Sequence, residues 1–310
     1  MTATLALAVA LAAAAAACGA GDAVRAPDGG LDRDVRACAG CHPVEAARWR
    51  ASRHAAAFVD GAFHAELEPR RDAWCIGCHA PLVADPVGVR DDDARARDGV
   101  GCAACHTRHD EVVTSARCAA CHQFNFAELG SGGRVVRVTD HPMQDTVAQA
   151  RGADCLDCHD PHAIAGSHDA ATRDGAVAVT TCVADGALRV AVRNVGAAHN
   201  VPTGGVDRHV VLRVWRSSAP ERVVETVFGR VFAPADDAGK VVTADTTIAP
   251  GATRRVTAAL AALGGDAGEP VNVALVYVFA ADEHAAIAGT QIAAPMFALR
   301  TATFAACPAE

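Results

Sequence analysis

The pattern of apolar and polar positions divides the chain into three stretches. Residues 1–17 (MTATLALAVALAAAAAA) are almost wholly apolar. That run has the length of a signal-peptide core and falls short of a comfortable bilayer span. No second run of that kind follows, so no membrane-spanning domain is expected. Between residues 36 and 168 no apolar group keeps a 3.6-residue period for long, and Gly, Pro and Asp interrupt the chain often. This pattern predicts short helices and loops. After residue 176 Val-rich runs take over. Residues 187–193 (ALRVAVR) alternate with period two, 209–215 (HVVLRVW) follow, and 222–232, 253–260, 271–279 and 294–304 continue the series. Asp185-Gly186, Asp237-Ala-Gly239 and Pro250-Gly251 punctuate them. About seven short strands in this stretch predict a β-sandwich. Helix is the weaker reading there, because β-branched residues dominate.

Composition changes the picture through two residue types. The 310 residues include 13 cysteines and 14 histidines. Chance at that composition gives about 0.03 copies of C-x-x-C-H. The chain holds five: Cys38-Ala-Gly-Cys41-His42, Cys75-Ile-Gly-Cys78-His79, Cys102-Ala-Ala-Cys105-His106, Cys118-Ala-Ala-Cys121-His122 and Cys155-Leu-Asp-Cys158-His159. Two thiols three positions apart reach the two vinyl groups of one haem, and the next residue sets an imidazole under the iron. A zinc site would pair two C-x-x-C units without a His after each, and a redox dithiol would sit in a βαβ pattern, which is missing. Five covalently attached haems c are therefore expected. The middle stretch averages about 25 residues per haem, so haem is expected to supply much of its apolar core.

The organisation expected from these features is a signal peptide at 1–17, a flexible tether at 18–35, a pentahaem domain at 36–170 and a β-sandwich domain at 176–307. The fold class is α+β and multidomain. The apolar leader lacks an N-terminal Lys or Arg, but Ala15-Ala16-Ala17-Cys18-Gly19 resembles a bacterial lipobox with Ala in place of the usual Leu. Ordinary cleavage at a small-residue site is the alternative, and either route implies export to the periplasm, the outer membrane or the cell surface. The only membrane link expected is a lipid on Cys18. A net charge of −8 argues against a nucleic-acid partner.

Each haem iron has a sixth position to fill. Nine histidines lie outside the motifs: His54, His64, His109, His141, His162, His168, His199, His209 and His284. His54 sits in Trp49-Arg-Ala-Ser52-Arg-His54, on an expected helix after the first motif. His162, in His159-Asp-Pro-His162, cannot easily reach the far side of its own haem and so would serve a neighbour. His141 competes with Met143, the one Met of this half. His64 and His109 are ligand candidates or propionate partners. His168 is a weaker candidate, and His209 and His284 read as structural or solvated. His199, in the turn His199-Asn-Val-Pro-Thr-Gly204, either belongs to a small polar loop or ligates an iron. With one usable Met, mostly bis-His, lower-potential haems are expected. Cys182 and Cys307 bracket the β-domain, as a disulfide or as two buried thiols.

The strings CAGCHPVEAARWRASRHAAAF (38–58), WCIGCHAP (74–81), GVGCAACH (99–106), CAACHQFNF (118–126), MQDT (143–146) and CLDCHDPHAIAG (155–166) resemble multihaem cytochromes of the cytochrome c-554 class, related to the hydroxylamine oxidoreductase group. HNVPTG (199–204) resembles a β-domain often appended to them. The resemblance implies electron transfer through closely packed, largely bis-His haems, and carries a distal-ligand role onto His54. Two departures lower an enzymatic reading. No Tyr lies in the haem half to form the cross-link of the hydroxylamine oxidoreductases, and the single lysine, Lys240, forms no C-x-x-C-K site of the nitrite reductase kind. The expectation is an electron carrier between redox protein partners, a quinol-side donor and a terminal acceptor. The alternative is a reductase or oxidase of a small nitrogen or sulfur species, with one open haem near His64, His109 and Arg108. Membership of a larger cytochrome assembly is compatible with the first.

Overall fold

The computed structural model describes residues 35–68, 71–109, 111–122, 124–127, 135–140, 155–164, 166–205, 207–234, 240–266, 268–280, 282–287 and 290–308. It divides into two compact units: residues up to Cys118 together with Cys155–Ala165, and Ala119–Asp154 together with Gly166–Glu310. Among the described residues no helix is long and apolar enough to cross a membrane.

The first unit is a series of short helices. In chain order they are α1 (Val35–Cys41), α2 (Pro43–Arg50), α3 (Gly61–Leu67), α4 (Ala73–His79), α5 (Ala94–Arg97), α6 (Cys102–Cys105) and α7 (Ser115–His122), the last running across the unit boundary. The aspartates that interrupt the sequence start several of them. Asp60 accepts from the amides of Ala62 and Phe63, Asp72 from Trp74, and Asp93 from Arg95 and Ala96. Each carboxylate satisfies amides that a first turn leaves unpaired. In α2, Pro43 opens the helix, Glu45 lies in the first turn, and Arg48 and Arg50 lie in the last, in accord with the helix dipole.

Gly99 shows how tightly the third motif is sewn to the first helices. Its φ is +59°, and a Cβ there would lie 2.4 Å from the carbonyl oxygen of His54. The close approach lets the Val100 amide donate to that oxygen at 2.9 Å, while the Trp49 indole donates to the Val100 carbonyl at 2.8 Å. The apolar cluster of this unit is small: Phe58, Leu67, Ile76, Ala80, Val89 and Ala96.

The second unit opens with α8 (Ala170–Ala176), capped by Asp169, and is mostly strand. The strands are β1 (Phe124–Ala127), β2 (Val135–Asp140), β3 (Val177–Ala184), β4 (Ala187–Asn194), β5 (His209–Arg216), β6 (Val224–Pro234), β7 (Lys240–Asp245), β8 (Thr253–Ala259), β9 (Val271–Val278) and β10 (Ala293–Thr301). One sheet has the order β1-β2-β7-β6-β5-β9-β10, the other β3-β4-β8. All pairings are antiparallel except β2 with β7, which meet at Arg137 and Val241. The hairpin of β1 and β2 thus joins the edge of the large sheet, which places residues 119–154 in this unit.

Alternation drives the smaller sheet. In β4, Leu188, Val190, Val192 and Asn194 are buried and their neighbours are not. Asp185 and Gly186 both have positive φ (52° and 72°), the geometry of a two-residue hairpin turn, and connect β3 to β4. Both sheets feed one core of nineteen buried residues, including Leu188 and Val190 from one and Val210, Leu212, Val273 and Leu275 from the other. The molecule is mixed α+β, as expected. Cys182 and Cys307 form a disulfide, which decides between the two sequence readings; their Cα atoms are 4.8 Å apart. Beside it, the C-terminal segment pairs with β3 through Val183 N–H to Ala305 O (2.9 Å) and Cys307 N–H to Val183 O (3.1 Å).

Candidate haem-attachment sites

Each C-x-x-C-H lies on or at the end of a short helical turn, and in α4 and α7 the turn includes the histidine. Positions i, i+3 and i+4 of a helix share one face, so α4 and α7 set both cysteines and the histidine of their motifs on one side. Cys38 and Cys41 lie in α1, Cys75, Cys78 and His79 in α4, Cys102 and Cys105 in α6, and Cys118, Cys121 and His122 in α7. The fifth motif uses a 3-10 turn at Cys155–Asp157. The histidine amide closes the turn onto the first cysteine: His42 to Cys38 O (2.9 Å), His106 to Cys102 O (3.0 Å) and His159 to Cys155 O (2.9 Å).

The thiols meet a test of fit to haem. Unbonded cysteines are among the most buried of all residue types. Here Cys38, Cys75, Cys78, Cys102, Cys105, Cys118, Cys121 and Cys155 are all partly accessible, and Cys158 is exposed. None of these residues is sealed in a core, which leaves room for a group that packs against the chain. Some also neighbour one another across motifs. A hydrogen bond with Cys38 brings the Cys102 thiol down to about 7, against its burial. Burial pushes Cys118 up to about 11, with Cys155 and Cys105 adding to it. Motif one thus touches motif three, and motif four touches motif five.

Two motif imidazoles are oriented by their surroundings. His79 Nδ1 lies 2.7 Å from the Ala57 carbonyl oxygen, and its ring stacks on Phe63 with centroids 3.8 Å apart and planes within 6°. Burial pushes His106 below its ordinary value, opposed by a hydrogen bond to the Glu111 backbone and helped by His162 and His42. A ring nitrogen bonded to a carbonyl fixes the tautomer and leaves the other nitrogen for a metal. Phe63 and Ala57 carry no motif signal, and sequence reasoning did not find them.

The structure brings some distal candidates to the motifs. The His162 ring stands 6.3 Å from that of His106, centroid to centroid, with planes within 7°. His109 stands 5.8 Å from His42, tilted by 49°. The Asp160 carboxylate receives the His162 amide at 3.0 Å and pairs with Arg48 of α2. The His54 carbonyl oxygen accepts from the Val100 amide, as described. His64 packs edge-on to Phe58 (5.2 Å) and lies 3.9 Å from Asp91. Its group with Glu68 and Asp91 could hold a cation by distance, but Arg71 already bonds both carboxylates. That is an internal ion-pair cluster.

The remaining candidates lie elsewhere. His141, with its rival Met143, falls outside the described residues, as does Cys18. In the second unit, His199 Nδ1 lies 3.0 Å from Asn200 O, and His209 Nδ1 lies 2.7 Å from Asp207 O. His168 stacks on Phe279 at 4.2 Å.

Residues 37–107, which contain the first three motifs with His54 and His64, match the family model described as cytochrome c554 and c-prime. No curated protein matches the chain. Among solved structures, a penta-haem cytochrome c552 from Thermochromatium tepidum shares the fold, with a TM-score of 0.61 at 17% identity over 85% of this chain and 97% of that one. The motif geometry, the match over the first three motifs and the shared fold together support a multihaem c-type cytochrome, with covalently bound haem and a role in electron transfer.

Proposed function

We propose that the chain is an exported pentahaem carrier that moves single electrons through a packed haem array between a quinol-side donor and a terminal acceptor. The observation that carries this reading is the set of five short turns, each carrying two motif cysteines followed by a histidine, with nine of the ten cysteines unbonded and partly accessible or exposed. Bound haem supplies one-electron chemistry at its iron; the chain supplies anchoring, ligation and spacing. The ten motif cysteines anchor, and His42, His79, His106, His122 and His159 are the proximal ligands. The thiol contacts between motifs one and three, and between four and five, support close packing of the array.

The sixth ligands follow in part from geometry. Two imidazoles on opposite sides of one metal, each nitrogen about 2 Å from it, stand with centroids about 6.3 Å apart. His106 and His162 stand at that separation. These two would hold one iron; His42 and His109, 5.8 Å apart, stand closer than that, and His109 is kept as a candidate. His54, His64, His141 and His199 remain candidates for the other irons. Export rests on the apolar leader and on haem attachment outside the bacterial cytoplasm; Cys18 is the candidate lipid anchor. The two sheets of the second unit share a core in the manner of a β-sandwich, and that unit would dock a redox partner or a neighbouring cytochrome.

Haem quantification with a carbon monoxide difference spectrum of the reduced, haem-loaded protein tests this. About five haems per chain without CO binding is the expected result. CO binding at one haem per chain would replace the carrier with the open-site reductase or oxidase.

A further inference from the structure

We propose that Glu111 is a positioning residue for the haem of the third motif: its carbonyl holds the His106 ring, while its carboxylate fastens the end of that motif to the start of the fourth. Glu111 lies outside every C-x-x-C-H string. Its role presupposes haem at the third motif, and so rests on the pentahaem reading above.

The carboxylate is bonded on both sides. One oxygen accepts from the Thr107 amide at 2.7 Å and from the Thr107 hydroxyl. The other accepts from the Arg117 guanidinium at 2.8 Å, a charge-assisted bond. Arg117 also donates to the Thr107 hydroxyl at 3.2 Å. Thr107 directly follows His106, and Arg117 directly precedes Cys118. Three side chains thus close a ring across the connection between two motifs. The backbone turns with them: the Glu111 amide donates to Arg108 O at 3.2 Å, and the Arg117 amide to Thr114 O at 2.9 Å. The start of α7, where Arg117 sits, is itself held, because the Ser115 hydroxyl accepts from the Cys155 amide at 2.9 Å.

What the ring contributes is direction more than stability. The Arg117 and Glu111 side chains are 39% and 22% exposed, and an ion pair that open adds little to folding. The Glu111 carbonyl, however, accepts from a ring N–H of His106. That carbonyl points where the other bonds of its residue set it. A ring N–H bonded to a carbonyl fixes the tautomer, leaves the second nitrogen for a metal and makes that nitrogen the stronger donor. A more electron-rich imidazole favours ferric iron and lowers the potential of its haem. The His162 ring faces His106 with planes within 7°, so the same bond sets the plane of one half of that candidate axial pair.

Spectroelectrochemical titration and electron paramagnetic resonance of the haem-loaded full chain test this role. Glu111→Ala should keep the haem content of its parent and move one low-spin signal. It should favour reduction of one haem by about threefold or more, a rise of about 28 mV or more for one electron. Arg117→Met opens the ring at its other end and should shift the same haem in the same direction. Because both act through one carbonyl, the double variant should shift it no further than the larger single change. If Glu111→Ala fails to take up haem, Arg117→Met decides the matter. An unmoved titration in a variant that keeps all its haem, or two shifts that add, overturns the role of Glu111. A parent chain whose third-motif peptide carries no haem by mass spectrometry overturns the pentahaem reading instead.

Discussion

The candidate sixth ligand His162 is aimed from a turn. In Asp160-Pro161-His162 the Asp160 side chain takes the His162 amide and also pairs with Arg48. Asp two residues before the bonded amide is a turn device that fixes where the next side chain points. His162→Ala should therefore leave haem content unchanged and let one haem per chain bind CO. His162→Met should instead raise the potential of one haem, read by spectroelectrochemical titration; an unchanged titration would remove His162 from the ligand set. The string His159-Asp-Pro-His162 already argued for service to a neighbouring haem. Which neighbour was not legible, because the 6.3 Å approach to His106 joins residues far apart in the chain. Asp60 gives a second residue-scale expectation. Burial alone would raise its carboxyl, but Arg53 and the Ala62 and Phe63 amides outweigh that and hold it below its ordinary value. A carboxyl lowered by folding stabilises above its unfolded pKa, and that contribution fades as pH falls through its folded one. Asp60→Ala should cost about 1 kcal/mol near neutral pH, with a smaller difference from the parent in acid, measured by thermal melts across pH.

At the scale of elements, the aspartates carried more information than their role as breakers. Asp60, Asp72, Asp93 and Asp169 each begin a helix, and a carboxylate before a short apolar group is a start signal. The strands show the opposite limit. The alternation of 187–193 is the β4 burial pattern itself, since one face of that sheet meets the core. In β5 the neighbours Val210, Val211 and Leu212 are all buried, so its period is broken by cover on both faces. β3 (VAVTTCVA) mixes small and polar residues and owes its place to pairing along the whole of β4. Its Cys182 bond to Cys307 closes a span of 125 residues. Replacing both cysteines with Ser should destabilise the second unit by about 2–4 kcal/mol, seen as a lower denaturation midpoint that reductant no longer shifts.

Over the whole molecule, apolar packing is divided unequally. Among the described residues the second unit has a core of nineteen buried residues, while the helical unit gathers six around Phe58 and Ile76. A segment so poor in core needs another source of folding free energy, and ligand binding supplies it where a site forms only on folding. Chain made without haem attachment should therefore keep a folded β-rich part and leave the helical part open to proteases. Limited proteolysis with mass spectrometry should find a resistant fragment starting after residue 165 and reaching Cys307. Equal digestion of both units would show that haem is no folding partner here.

The disulfide also decides how the protein answers a mechanical load. Tension applied along the chain reaches Cys182 and passes through the sulfur bridge to Cys307, bypassing strands β4 to β10. Those strands sit in a slack loop whose pull-out is withheld while the bridge lasts. The hidden length, at about 3.4 Å for each of its 125 residues, is about 42 nm. Pulled from its two ends, the chain would be stretched without those strands being drawn apart, and in a force-extension trace that length would be released only once a reductant opens the bridge.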